Sequence, residues 1–263
     1  MKLLIFAEGR KLLRMRSLWL SLLLSLALLG LYAYQYTVNA GSGVMLEDFR
    51  RASVLSSALL LAFAVIYSVP VSVVVGGLLV GQEYTNLTQG LLVALGGRFR
   101  TLGAKVATAL LATVAGTVVM LMLGVIWDAV LGGDLGGFRS GQVLAQVGVV
   151  SGIDFSMVLV AMVAVTLTRS AARGSIICVL LWAVVMLVMS GVVPRSMCLL
   201  PIFYWTDFIG RAFGNLESVH AALGVEVPNG APVGWAAAAL AVAYAATCVC
   251  VLVGVAWRRE YRA

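Results

Sequence analysis

The chain has 263 residues, 62% of them hydrophobic and 11% charged, with a formal net charge of +7. Soluble domains carry about 45–50% apolar and about 25% charged residues, so this composition suits lipid rather than water as the main solvent. Nucleic acid is a poor fit for the positive charge, because the cations are spread along the chain instead of gathering in one basic, aromatic-bearing domain.

In chain order, residues 1–16 come first and read as an amphipathic helix. Ile5, Phe6, Leu12 and Leu13 fall on one stripe, while Glu8, Arg10, Lys11 and Arg14 fall elsewhere. Such a helix lies along membrane headgroups with its apolar side down. A basic flank that only orients the following span would not require Ile5 and Phe6.

A helix needs about 20 predominantly apolar residues to cross the hydrocarbon core. Six runs qualify: 17–37, 53–80, 107–129, 143–168, 175–193 and 233–257. The first ends near Val38-Asn39-Ala40, a passable cleavage site, but its apolar run exceeds the about 7–15 residues of a signal peptide and reads as a retained span. In the second run, Pro70 removes an i→i−4 hydrogen bond and predicts a kink suited to a gating helix. Gly77 and Gly81 form a Gly-x-x-x-Gly pair that predicts close helix approach.

Between the second and third runs lies "GQEYTNLTQGLLVALGGRFRTLGAK", residues 81–105. It carries Glu83, Tyr84, Thr85, Asn86 and Thr88, then the apolar residues 91–95, then Gly96-Gly97 as a break before Arg98, Arg100 and Lys105. A Glu83–Arg98 pair across the turn is geometrically open, but an exposed pair contributes only about 0–1 kcal/mol. The segment over 82–97 reads better as a short docking helix, with Leu91, Leu92 and Leu95 filling a groove on a soluble partner. Asn86-Leu87-Thr88 fits the glycosylation pattern, and its expected cytoplasmic placement leaves it unmodified.

Asp154 lies inside the fourth run, where a carboxylate costs about 3 kcal/mol by insertion scales. It reads either as a cavity-facing group in a substrate path or gate, or as the structural partner of a nearby polar group. Asp128, at the outer end of the third run, reads as interfacial. The stretch 194–232 contains "LLPIFYW" and a potential helix over 208–223. It reads either as an interfacial aromatic belt or as a partly re-entrant segment shielded by protein. His220 stands alone there and supports neither a catalytic nor a metal site. The four cysteines form no CxxC pair and predict no disulfide framework.

With the N-terminus inside, 13 of the 18 Lys and Arg residues fall on the inner face, and only Arg50, Arg51, Arg139, Arg195 and Arg211 fall outside. The positive-inside rule therefore places both termini in the cytoplasm. The expected fold is all-α: one polytopic membrane domain over 1–263 with six spans, a surface helix over 1–16 and a coupling helix over 82–97.

Three stretches together carry a resemblance: "AEGRKLLRMRSLWL" near the start, "GQEYTNLTQGLL" after the second run and "GRFRTLGAK" at the third. With the six-run layout, the chain resembles a type-2 ABC exporter permease, the membrane subunit of a split ATP-driven transporter. Many members have a Gly-x-Glu-aromatic stretch, a Thr-bearing turn, then an Arg and a Lys before the next span. Gly81, Glu83, Tyr84, Thr88, Arg98 and Lys105 match that pattern, although members often have Gly-Thr where this chain has Leu87-Thr88. The resemblance implies that the surface helix (Ile5, Phe6, Arg10, Lys11, Leu12, Leu13) and the 82–97 segment (Glu83, Tyr84, Thr88, Leu91, Leu92, Leu95, Arg98) contact a separate ATPase. It implies a second permease chain, identical or related, and rocking between inward-open and outward-open states.

The chain has no G-x-x-x-x-G-K-[ST] phosphate loop, and "GRFRTLGAK" fails that spacing. ATP and Mg are therefore expected in the partner, with no cofactor, catalytic residue or metal site in this chain. The expected cargo is amphipathic or hydrophobic: an antimicrobial peptide, a drug or a lipid-like molecule. An intramembrane enzyme is disfavoured because no His falls in any apolar run and neither G-x-S-G nor H-E-x-x-H occurs. An ion-coupled carrier or a membrane assembly factor working without ATP is the alternative, although the broken-helix repeats of many carriers are not seen.

Overall fold

The structure is a computed structural model, and it describes residues 2–27, 69–85, 97–130, 140–189 and 235–258. These residues form seven helices and no strand: α1 (Lys2–Leu13), α2 (Arg16–Ala27), α3 (Val69–Thr85), α4 (Arg98–Val130), α5 (Ser140–Thr168), α6 (Ala171–Met189) and α7 (Trp235–Arg258). Two stretches, Phe99–Val119 of α4 and Val150–Thr168 of α5, are long and apolar enough to cross a membrane. The loop expected at 194–232 lies outside the described residues, as do Thr88, Leu91, Leu92 and Leu95.

Helix α5 is the hub and packs against α3, α4, α6 and α7. Its Val158, Leu159, Met162 and Val165 are fully buried, and they meet Val75, Leu79 and Val80 of α3, Ala109 of α4 and Leu252 of α7 in one apolar core. The outward sides are apolar too. Leu111, Val118, Met122 and Ile126 on α4 are exposed, as are Ile176, Leu180 and Leu181 on α6 and Leu20, Leu23 and Leu24 on α2. Helices that are apolar all round are those of a large core or of a membrane.

Small residues set the approach of α3, as the Gly-x-x-x-Gly spacing predicts. A β-carbon on Gly81 would run into Ala171, and one on Gly77 into the Ser175 hydroxyl, so α3 and α6 meet through Gly77/Gly81 against Ala171/Ser175. On its α5 side, a β-carbon on Gly76 would lie 2.5 Å from the Val158 carbonyl oxygen. The contact is backbone to backbone, as in small-xxx-small helix pairs in membranes.

The connections have local causes. Helices α5 and α6 are joined by Arg169-Ser170 alone, with Arg169 at φ 55°. Ser170 Oγ accepts a hydrogen bond from the Arg173 backbone N–H at 3.4 Å, the pattern of a helix N-cap. Gly97, at φ 71°, precedes α4 directly; it is the break that Gly96-Gly97 predicts, in a conformation glycine adopts without steric cost. Between α1 and α2, Trp19 Nε1 donates to the Leu13 carbonyl at 2.8 Å and satisfies one of the orphan acceptors at the end of α1.

Helix α4 begins earlier than the apolar run suggests. The expectation was a span from 107, with Arg98–Lys105 as a polar approach to it; the structure has all of these residues in helix. Pro70 is exposed in the first turn of the described part of α3, and the residues before Val69 that a kink would involve are outside the described set.

Candidate functional site

The densest polar chemistry among the described residues lies where α1, the C-terminal end of α3 and the N-terminal end of α4 meet. Lys105 of α4 is only 4% exposed, Glu83 of α3 4% and Glu8 of α1 6%. Lys105 Nζ contacts Glu83 Oε1 at 2.5 Å and Glu8 Oε1 at 3.9 Å, and it donates to the Leu79 carbonyl. Lys11 Nζ closes the cluster from its rim, 3.6 Å from Glu8 Oε2 and 3.7 Å from Glu83 Oε1, with its side chain 31% exposed.

Two carboxylates and two ammonium groups balance formally. That balance is what lets them sit out of water, since an unpaired buried charge costs several kcal/mol (about 3–5 when one partner is removed). A second bridge runs beside the cluster. Thr108 Oγ1 lies 2.8 Å from the Ala104 carbonyl of its own helix and 3.4 Å from the Ile5 carbonyl of α1. At the elbow after α1, the Gln82 amide contacts Met15 Sδ at 2.9 Å. Helix α1 is thus fastened to α3 and α4 at several points along its length.

In α1 the apolar residues fall on two faces. The stripe of Ile5, Phe6, Leu12 and Leu13 is split: Leu12 is buried and Ile5 half-buried, but Phe6 and Leu13 are exposed, together with Leu3 and Arg10. The inward face is turned toward Glu8, which the helical wheel assigns to the polar side. The physical reason is Lys105, whose buried charge draws Glu8 inward and leaves Phe6 outside.

The Glu83 carboxylate faces into the junction and meets Lys105 and Lys11; Arg98, the partner suggested by the sequence, opens α4 with its side chain outside the described set. Tyr84 is half-buried and packs against the apolar core. Glu83 and Tyr84 are therefore built into the helix junction, at the start of the 82–97 segment expected to dock. Sequence reasoning missed Glu8 as a member of this site and took Lys105 only as a flank of the third run.

A second constellation lies around Asp154 of α5, which is 4% exposed. It lines a cavity of about 50 Å³ with Ser72, Val71 and Val75 of α3, Ala112, Thr113 and Gly116 of α4 and Leu22 of α2. Asp154 lines a cavity between four helices and is also engaged by an interaction within the protein, which is compatible with both readings made from the sequence. Ser72 and Thr113, its neighbours in that lining, carry no signal in the sequence that sets them apart from other hydroxyl residues in apolar helices. Among the described residues, no group of three or more His, Cys, Asp or Glu side chains is placed to hold a metal ion.

The chain matches no protein-family model, no curated protein and no solved structure.

Proposed function

We propose that this chain is the permease subunit of an ATP-driven exporter of the type-2 ABC kind, with six spans and both termini on the cytoplasmic side of the cytoplasmic membrane. ATP and Mg are handled by a separate ATPase subunit, and a second permease, a copy or a related chain, completes the pathway. The cargo is an amphipathic or hydrophobic compound. The observation that carries this reading is the buried cluster of Glu8, Lys11, Glu83 and Lys105.

It joins the surface helix, the end of α3 and the start of α4 at one point, and α3 and α4 are the two helices that the chain segment 86–96 connects. A push on Leu91, Leu92 or Leu95 by an ATPase would reach α3 through Glu83, α4 through Lys105 and α1 through Glu8. A partner-driven permease needs such a joint between its docking segment and its helices. The two long apolar helices and the apolar exposed faces of α2, α4 and α6 support the membrane setting. Asp154 belongs to the substrate path in this reading, and Pro70 to a gating helix.

The test is gentle affinity purification of the tagged chain from native membranes, alongside a variant carrying Leu91→Asp and Leu92→Asp. A stoichiometric Walker-type ATPase should accompany the wild type and be lost from the variant, while both insert equally. Recovery of the wild type without any ATPase, from cells that also express its gene neighbours, would leave the autonomous carrier as the better reading.

A further inference from the structure

Opposite the face that carries Glu8, helix α1 turns a second face outward. At about 100° per residue, Lys2, Leu3, Phe6, Arg10, Leu13 and Arg14 fall within an arc of about 120°, and all six are exposed. Arg14 continues the helical turn, its N–H bonding to the Arg10 carbonyl at 3.3 Å. Leu3 is 84% exposed and Phe6 70%, so apolar side chains stand out of the protein between cations.

The charge around this face has one sign. Among the described side chains the carboxylates, Glu8, Glu83 and Asp154, are all buried. Glu8 and Glu83 are paired with Lys11 and Lys105, and Lys2, Arg10 and Arg14 have no carboxylate partner among the described residues. More exposed cations lie at the same end of the bundle. Arg100 is on the turn of α4 just before Lys105, and Arg169 and Arg173 flank Ala171, which meets Gly81 close to Glu83.

An acidic protein and an anionic lipid would both answer this charge, but the apolar strip does not stop at the end of α1. Trp19, whose indole N–H bonds to the Leu13 carbonyl, is exposed and carries the strip onto α2, where Leu20, Leu23 and Leu24 extend it. An exposed leucine side of that length belongs in hydrocarbon. The mixed basic and apolar face at its end then falls at headgroup depth, where indole rings also concentrate. Helices of this pattern bind through buried apolar area plus attraction to anionic lipid.

We propose that the outward face of α1 binds anionic phospholipid headgroups, with Lys2, Arg10 and Arg14 on the phosphates and Leu3, Phe6 and Leu13 in the acyl boundary. This gives Phe6, Arg10 and Leu13 to lipid, where the ABC resemblance gives them to an ATPase. It rests on the membrane setting and not on the permease reading.

The experiment follows the thermal unfolding midpoint of the purified full chain in phosphatidylcholine nanodiscs as the phosphatidylglycerol fraction is raised at low salt. The midpoint should rise saturably, and the rise should vanish at about 1 M salt, where charge attraction reaches only about 3 Å. Inorganic phosphate added to phosphatidylcholine discs should leave it unchanged. Arg10→Gln should raise the phosphatidylglycerol fraction at half-rise about fivefold. Lys2→Gln, Arg10→Gln and Arg14→Gln combined should abolish the rise, and Arg169→Gln with Arg173→Gln should keep most of it.

An equal loss in the Arg169/Arg173 variant would mean a diffuse response to net charge and overturn the proposal. So would no rise in the wild type, an equal shift with inorganic phosphate, or a wild-type response in the triple variant. If the triple variant does not fold, an unchanged half-rise fraction in Arg10→Gln decides against it. A triple variant that keeps its lipid response but loses a co-purifying ATPase would give the face to that partner instead. A lipid response without any co-purifying ATPase counts against the permease reading alone, and co-purification without a lipid response against this one alone.

Discussion

Replacing Lys105 by Met tests whether the junction is an energetically coupled unit. The substitution keeps most of the side-chain volume but removes one of two cations serving two buried carboxylates. Lys11 remains 3.6 Å from Glu8 and 3.7 Å from Glu83, on a side chain about a third exposed, where water and salt weaken its pull. Breaking a buried pair by removing one partner costs about 3–5 kcal/mol, and retention of Lys11 places Lys105→Met near the lower end, at about 3 kcal/mol. Adding Glu83→Gln removes the carboxylate that lost its closest partner, leaving Glu8 with Lys11. About 2 kcal/mol should then return relative to the single variant. The assay is reversible unfolding in nanodiscs by denaturant, read by tryptophan fluorescence, for wild type, each single variant and the double variant. If Lys105→Met costs less than about 0.5 kcal/mol, the range of ordinary surface substitutions, or if the two single losses simply add, the cluster is not the joint described here.

Two further outcomes concern the backbone. Gly81→Val should reduce the yield of folded protein and cost at least about 3 kcal/mol, because overpacking against the Ala171 backbone has no flexible side chain to absorb it; wild-type melting of this variant would contradict the α3–α6 contact. Arg169→Gly should raise stability by about 1 kcal/mol, since φ 55° strains any residue with a β-carbon, and a thermal melt showing destabilisation would place that turn in another conformation.

Features governed by near neighbours were legible in the sequence. Gly77 and Gly81 announce a close approach through their spacing alone, and Gly96-Gly97 announces the break before α4. Helix α1 was legible as a helix, and Leu3, Phe6 and Leu13 remain exposed on it, but its inward face at Glu8 was not legible. Wheel reasoning sends Glu8 to water because a lone carboxylate has no reason to be buried, and its reason, Lys105, lies on a helix far along the chain. The Glu83–Lys105 pair was not legible for a related cause: Lys105 lies seven residues beyond Arg98 on the same helix, and only its burial beside α1 and α3 singles it out. The Asp154 cavity was half legible. A carboxylate in an apolar run draws notice at once, whereas Ser72 and Thr113 become its neighbours only when three helices are assembled. The docking residues Thr88, Leu91, Leu92 and Leu95 rest on the sequence alone.

The close seams of α3 against α5 and α6 also bear on how the gene can drift. No single-base change in a glycine codon produces another residue without a β-carbon. At Gly76, Gly77 and Gly81 any such carbon meets a carbonyl, a hydroxyl or a neighbouring backbone. Every missense change at these three codons should therefore be harmful, whatever its polarity. The exposed apolar positions on the far sides of α4 and α6, such as Leu111, Val118, Ile176 and Leu180, should exchange freely among Leu, Ile, Val, Met and Phe. In a saturation library the helices would separate into one intolerant edge and one permissive edge, and the boundary between them would trace the packing interface without any further structure determination.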